Sequence, residues 1–346
     1  MIAPASLPRN ALVKPRPRGR HDAPARRRHW RSRPWVRHAL SLAFFAAVLV
    51  LVARYAQRLD WDEVIASVVR TPGPALLAAA ALAACSHLLY SCFDLIGRRY
   101  TGHQLPTPTV MAVNFVSYAF NLCLGSLVGG IAFRYRLYSR LGLENGVITR
   151  IVSISMLTNW LGYTLLAGLL FCIHPLQLPP SWKMSNTGLQ WLGALLVLVA
   201  PGYIYACRRF GDHMWDWRGH ELYLPPWRMG VLQLAIACVN WCLMAGVIWV
   251  LLGQRIHYAD VLTVLLIGAI ASVVLHVPAG LGVLEFVFVA LLSHLLSEGR
   301  LIGALLGYRA LYYLVPLMLA AFVYLYMEVH AKHRHQAARR LHAGRS

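Results

Sequence analysis

Acidic side chains are scarce in this sequence: 13 Asp and Glu stand against 33 Lys and Arg, and charged residues make up 13% of the 346. With 58% hydrophobic residues and a mean hydropathy of +0.53, there is too little charge to cover the surface of a water-soluble domain. Enzyme signatures are lacking too. There is no H-E-x-x-H, no G-x-S-x-G, no P-loop and no dinucleotide fingerprint. The seven cysteines, Cys85, Cys92, Cys123, Cys172, Cys207, Cys238 and Cys242, form no C-x-x-C pair, and almost all fall in apolar segments. Neither a disulfide framework nor a zinc site is indicated, and no cofactor or metal is expected. No clean small-residue cleavage site follows the first apolar run, so that run reads as a membrane helix rather than a cleaved signal peptide.

What the sequence does have is apolar length. Long hydrophobic runs recur along nearly the whole chain, which makes it a polytopic α-helical membrane protein. The net charge of +20 sits mostly in two flanks, "RPRGRHDAPARRRHWRSRPWVRH" and "KHRHQAARRLHAGR". Such flanks orient a membrane protein and touch anionic lipid; nucleic acid is not an expected partner. Residues 1–36 are therefore read as a disordered cytoplasmic arm, 37–328 as a single membrane domain and 329–346 as a cytoplasmic tail.

Clean spans are expected at 37–56, 73–97, 147–172, 189–207, 229–252 and 301–328. The segment 59–69, "LDWDEVIASVV", is too polar to span and reads as an amphipathic surface helix with Trp61 at the interface. Two stretches do not fit. In 109–138 the apolar part is about 25 residues, or about 37 Å of helix, enough for one crossing but not two. A single crossing would leave Arg134, Arg136, Arg140 and Arg150 outside, against the basic-inside bias of the later loops. A re-entrant hairpin turning near Gly125, Gly129 and Gly130 resolves the conflict. By the same logic 259–297 leaves and returns on one side, broken at Pro278-Ala-Gly280-Leu-Gly282. The expected fold is an all-α integral membrane protein with about six full spans and two broken hairpins, about eight membrane helices in all, and both termini in the cytoplasm. Broken segments in corresponding halves are the pointer to a transport site near the midplane.

Ionisable and polar residues gather at those breaks. Glu285 follows the second one; Arg309 lies in the last helix, with Tyr312, Tyr313 and Pro316 on its face. The first break brings Asn114, Tyr118 and Asn121 before it and Arg134 and Arg136 after it. Glu285 and Arg309 have two compatible readings: an ion pair fixing two helices, or a site where Arg309 and a first-break arginine meet a lipid phosphate. Arg134 and Arg136 read equally as membrane-edge anchors, the tyrosines as packing residues and His276 as a hydrogen-bonding side chain. Asp94 is expected to partner Arg98 or Arg99. The cluster Asp212, His213, Asp216, His220 and Glu221 reads as a solvated loop before it reads as a metal site.

Three stretches, "SYAFNLCLGSLVGGIAFRYRLYSRLGL" (117–143), "HVPAGLGVLEFVFVALL" (276–292) and "YRALYYLVP" (308–316), together resemble the transmembrane region of the lysylphosphatidylglycerol synthase family. One departure stands out: Ala279 occupies a position where the family usually has glycine. The resemblance implies a bacterial inner-membrane, flippase-like module that moves a phospholipid or related polar lipid: anionic, aminoacylated or isoprenoid-type. Two-part relatives carry a C-terminal cytoplasmic transferase domain, and only 18 residues follow the last expected helix here, so lysyl transfer is not expected. Rival expectations are an intramembrane lipid-modifying enzyme using Glu285 or His276, and a non-catalytic partner of a lipid synthase. A homo-oligomer is compatible with each.

Overall fold

The computed structural model describes residues 60–174, 186–211 and 224–328, the backbone of 214–217 and 220–223, and scattered positions between 43 and 58. The two expected cytoplasmic flanks lie outside the described residues, as does most of the expected span 37–56; Val50–Arg54 within it is helical.

The first complete helix, α1 (Trp61–Arg70), starts where Asp60 accepts the Glu63 N–H at 3.2 Å and carries Asp62 and Glu63 in its first turn and Arg70 in its last. Side-chain capping and charges matched to the helix dipole favour these ends. It packs on the last helix, where the Ser67 hydroxyl donates to the Gly303 carbonyl. Helices α2 (Gly73–Ser91) and α3 (Phe93–Thr101) form one expected span, with a slip at Cys92 that the sequence reading did not place.

Helix α4 (Thr107–Leu124) stops at Gly125, whose φ of 84° and ψ of 167° lie in a region only glycine occupies without strain. The chain then folds back through a widened π-helical turn, Ser126–Ala132, into α5 (Phe133–Arg140). Gly129 and Gly130, expected at the turn, instead pack the returning leg on α4. A Cβ on Gly129 would sit 2.0 Å from the Asn121 backbone nitrogen, and one on Gly130 3.2 Å from Asn121 Oδ1. Phe120 and Phe133 stack across the fold-back at 4.3 Å. The outgoing leg is longer than a shallow dip needs: its 18 residues are long and apolar enough to cross a membrane.

Helices α6 (Asn145–Ile173), α7 (Asn186–Phe210) and α8 (Trp227–Leu251) match three expected spans. Between α7 and α8, β1 (Met214–Trp217) and β2 (His220–Tyr223) pair antiparallel, with Asp216 opposite Glu221; the sequence reading had only a loop here. Two shorter apolar helices follow, α9 (Tyr258–Val274) and α10 (Val283–Leu292), and they pack against each other with Leu284 Cδ1 in the space beside Gly268. Helix α11 (Glu298–Tyr308) continues through a π-helical turn, Arg309–Leu314, to Glu328. Among the described residues, six helical segments are long and apolar enough to span: 73–101, 107–124, 145–173, 187–210, 227–251 and 298–328. The protein is an all-α polytopic membrane protein, the small β-hairpin apart.

The π-helical turn in the last segment follows from Pro316. Proline has no N–H to return to the carbonyl four residues back, and its ring crowds that carbonyl. The turn before it widens, so that Val315 N–H reaches Ala310 O, five residues away. Such one-turn widenings re-aim side chains; this one carries Arg309, Tyr312 and Tyr313, all buried.

Candidate functional site

The second break is a run of left-handed backbone. His276, Ala279, Gly280 and Gly282 have φ of 53°, 59°, 57° and 79°. Unwound carbonyls in an apolar setting need donors. Arg309 supplies them, Nη1 to the Ala279 carbonyl and Nη2 to the Gly280 carbonyl, at 3.1 Å each. The same guanidinium meets Glu285: Nε lies 2.6 Å from Oε1 and Nη2 lies 2.9 Å from Oε2. Glu285 in turn accepts the Gly282 N–H at 2.9 Å, closing the first turn of its own helix. One planar, five-donor side chain thus ties a broken backbone and its carboxylate together, which the point charge of a lysine cannot reproduce. The ion pair, one of the two compatible readings for these residues, is formed. The Arg309 side chain is 0% exposed and the Glu285 side chain 19%, so the carboxylate is the accessible member.

The 278–280 turn packs against α4, so the two broken elements meet. At their junction Tyr118 from α4 and Tyr312 share a hydroxyl hydrogen bond of 2.9 Å. Tyr312 also shares one of 2.6 Å with Ser86, which donates to Asn240 Oδ1 at 2.8 Å. Arg309 Cζ lies 5.6 Å from the Tyr313 ring centre, within cation–π range. Of the expected site residues, Tyr118, Glu285, Arg309, Tyr312 and Tyr313 are brought together. Asn121 sits one turn further along α4, beneath Gly130.

Arg134 and Arg136 belong to separate clusters. Arg134 is buried and donates to Asp94 Oδ2 at 3.1 Å, to the Gly130 carbonyl at 2.7 Å, to Asn114 Oδ1 and to Ser155 Oγ at 3.2 Å. Tyr138 adds a hydrogen bond of 2.9 Å to the same Asp94 oxygen. The expected partnership of Asp94 with Arg98 or Arg99 is therefore not formed. Asp94 points inward at 0% exposure, where the returning leg of the first hairpin delivers Arg134, and Arg98 reaches out to Thr107 Oγ1 at 2.7 Å. Arg136 donates to Tyr324 Oη at 2.8 Å and lies 3.8 Å from Glu328, which also pairs with Arg140. Each of the three candidate phosphate-binding arginines thus has a carboxylate partner: Asp94 for Arg134, Glu328 (shared with Arg140) for Arg136 and Glu285 for Arg309.

Sequence reasoning passed over Ser86, His87, Asn240 and Glu328. The signal was present for the first two, which interrupt the apolar run "AALAACSHLLYS" with adjacent polar side chains. His276 is exposed, with Nδ1 at 2.9 Å from the Val274 carbonyl, a local hydrogen bond at the rim of the break. No group of three or more metal-ligating side chains is present among the described residues.

Residues 38–320 match the family described as lysylphosphatidylglycerol synthase TM region. The chain is 47% identical over 294 residues to the inner membrane protein YbhN of Escherichia coli, a match covering 85% of this chain and 92% of that protein. An uncharacterized protein of Synechocystis is 30% identical over 266 residues, covering 74% of this chain and 80% of the other. A phosphatidylglycerol lysyltransferase of Staphylococcus haemolyticus is 24% identical over 241 residues, which are 67% of this chain and 27% of that enzyme.

Proposed function

The chain belongs to the lysylphosphatidylglycerol synthase transmembrane-region family, and from that premise we propose that it moves a polar lipid across a bacterial inner membrane. The observation that carries the reading is the meeting of two broken hairpins around Glu285 and Arg309. Unwound backbone and a buried charge pair are each expensive in hydrocarbon, and together they mark a path for polar groups. The inner-membrane name of the E. coli relative and the lysyltransferase names of others support a lipid as the cargo.

In this reading both hairpins enter the bilayer and return to the side they left, and both termini are cytoplasmic. The lipid head group enters at the exposed edge of Glu285 while its chains stay in the bilayer. A cationic head group, such as an aminoacyl amine, pairs with Glu285 directly. A phosphate takes over Arg309 as Glu285 turns away, with Tyr118, Asn121, Tyr312 and Tyr313 lining the way. Arg134 and Arg136 act by exchanging Asp94 and Glu328 for phosphate oxygens, whose geometry suits guanidinium.

The test is transbilayer movement of fluorescent phosphatidylglycerol, lysyl-phosphatidylglycerol and an isoprenoid phosphate in proteoliposomes. Wild type is compared with Glu285→Gln and Arg309→Lys, each first shown to be folded by its melting curve in detergent. At least one probe should cross faster than in protein-free vesicles, and both folded variants should lose most of that rate. If wild type moves none of the three, translocation is wrong. A changed lipid mass would then identify a lipid-modifying enzyme, and stable co-purification with a lipid synthase would identify a scaffold.

A further inference from the structure

Away from the Glu285–Arg309 junction, an apolar cleft of about 420 Å³ lies between α2, α4 and the last helix. Ala84, Leu88, Phe115 and Leu319 are among its walls, and His87 and Ser91 are the polar side chains that line it. His87 and Phe115 fall near the middle of the membrane-length helical segments 73–101 and 107–124, which puts the cleft midway along both.

His87 is 4% exposed and packed edge-on to Phe115 and at a tilt to Tyr118 and Tyr312. Its Nε2 lies 3.1 Å from the Tyr312 carbonyl, the oxygen that Pro316 cannot serve. A carbonyl only accepts, so Nε2 carries the proton and neutral imidazole leaves Nδ1 as an acceptor. That Nδ1 is buried and has no hydrogen-bond partner. Ser91 spends its proton on the His87 carbonyl at 2.7 Å, so it too offers only lone pairs. Both polar groups of the cleft therefore ask for a donor, and a buried acceptor left unmet is unfavourable.

We propose that this cleft binds a neutral, single-chain lipid alcohol whose hydroxyl donates to His87 Nδ1. No Lys or Arg lines the cleft, so a phosphate head group would find no cation there, and the volume suits one apolar chain rather than two. The site stands apart from the translocation reading and would hold if that reading failed.

The experiment uses the purified full chain in phospholipid nanodiscs with a diazirine-bearing hexadecanol as photoprobe. Unlabelled hexadecanol competes against hexadecyl methyl ether, which keeps the chain and oxygen but has no proton to donate. Labelling should map to α2, α4 and the last helix, and the alcohol should compete about tenfold better than the ether, the contribution of one hydrogen bond in an apolar site. Ala84→Phe should block labelling, and His87→Phe should erase the alcohol's advantage. Equal competition by alcohol and ether in wild type, or labelling spread over the outer surface, would mean that bulk acyl chains fill the cleft, and the proposal would be overturned. Should His87→Phe fail to fold, ¹⁵N NMR of wild-type His87 decides: hexadecanol must shift Nδ1, and an unmoved resonance refutes the assignment.

Discussion

Arg309 donates to the carbonyl oxygens of Ala279 and Gly280 while its other edge holds Glu285, so the last helix closes a gap in the backbone 29 residues upstream. Lysine at 309 keeps the charge but cannot reach both carbonyls and the carboxylate. Arg309→Lys is expected to lower stability by about 1–3 kcal/mol, the cost of a buried polar group left unmet. Arg309→Met should cost more, about 3–5 kcal/mol, because Glu285 is left as an unpaired charge. Adding Glu285→Gln to Arg309→Met should recover part of the loss, and thermal melting of wild type, Arg309→Met, Glu285→Gln and the double variant in one detergent measures the coupling.

Ala279 adopts φ 59°, where a Cβ is strained. The sequence departure at this position therefore carries an energetic cost. Ala279→Gly should stabilise the protein by about 1 kcal/mol, the penalty of a left-handed alanine less the extra freedom glycine gains when unfolded. A higher melting temperature checks it; a lower one would show that the turn does not hold this backbone.

The glycines of the first hairpin should separate by mechanism. Gly129→Ala places a methyl group against the α4 backbone and should prevent the returning leg from docking, so little folded protein is expected. At Gly125 nothing lies within 4 Å of an added Cβ, so Gly125→Ala meets only the strain of its backbone, about 1–3 kcal/mol. Yield of monodisperse protein and melting temperature distinguish the two.

Asp94 and Arg134 are both buried, and each is the other's charge partner. Asp94→Asn should cost about 3–5 kcal/mol by leaving the guanidinium unpaired, whereas Tyr138→Phe, which removes one hydrogen bond to Asp94, should cost about 1–3 kcal/mol. Urea or thermal unfolding of the two variants sets the order.

His103 follows α3 in the loop before α4, and its pKa lies below the ordinary histidine value, first because burial disfavours the charged ring and then because Arg98 repels it; Asp94 opposes both. A histidine lowered in the folded state is stabilising in its neutral form. That stabilisation is complete above the unfolded-state pKa and is lost as pH falls through the lower folded value. Wild type should therefore lose more stability on acidification than His103→Gln, and melting curves taken across the mildly acidic range will show whether it does.

The sequence by itself determined the membrane class, the ends of α6, α7, α8 and the last helix, and the two places where helices break. Those features are local: transfer of apolar residues fixes the spans, and glycine or proline fixes the breaks within a few residues of where they act. It also put Glu285 and Arg309 forward as a pair, since each is an isolated charge in an apolar run. Tertiary structure decided the rest. With Asp94, Glu285 and Glu328 set among several arginines, composition allows more than one pairing. Only the rotation and register of distant helices give Arg134 to Asp94, Arg136 and Arg140 to Glu328, and the Tyr312 carbonyl to His87. A buried charge or carbonyl takes whichever partner the packing brings within hydrogen-bond reach, and that depends on contacts between segments far apart in the chain.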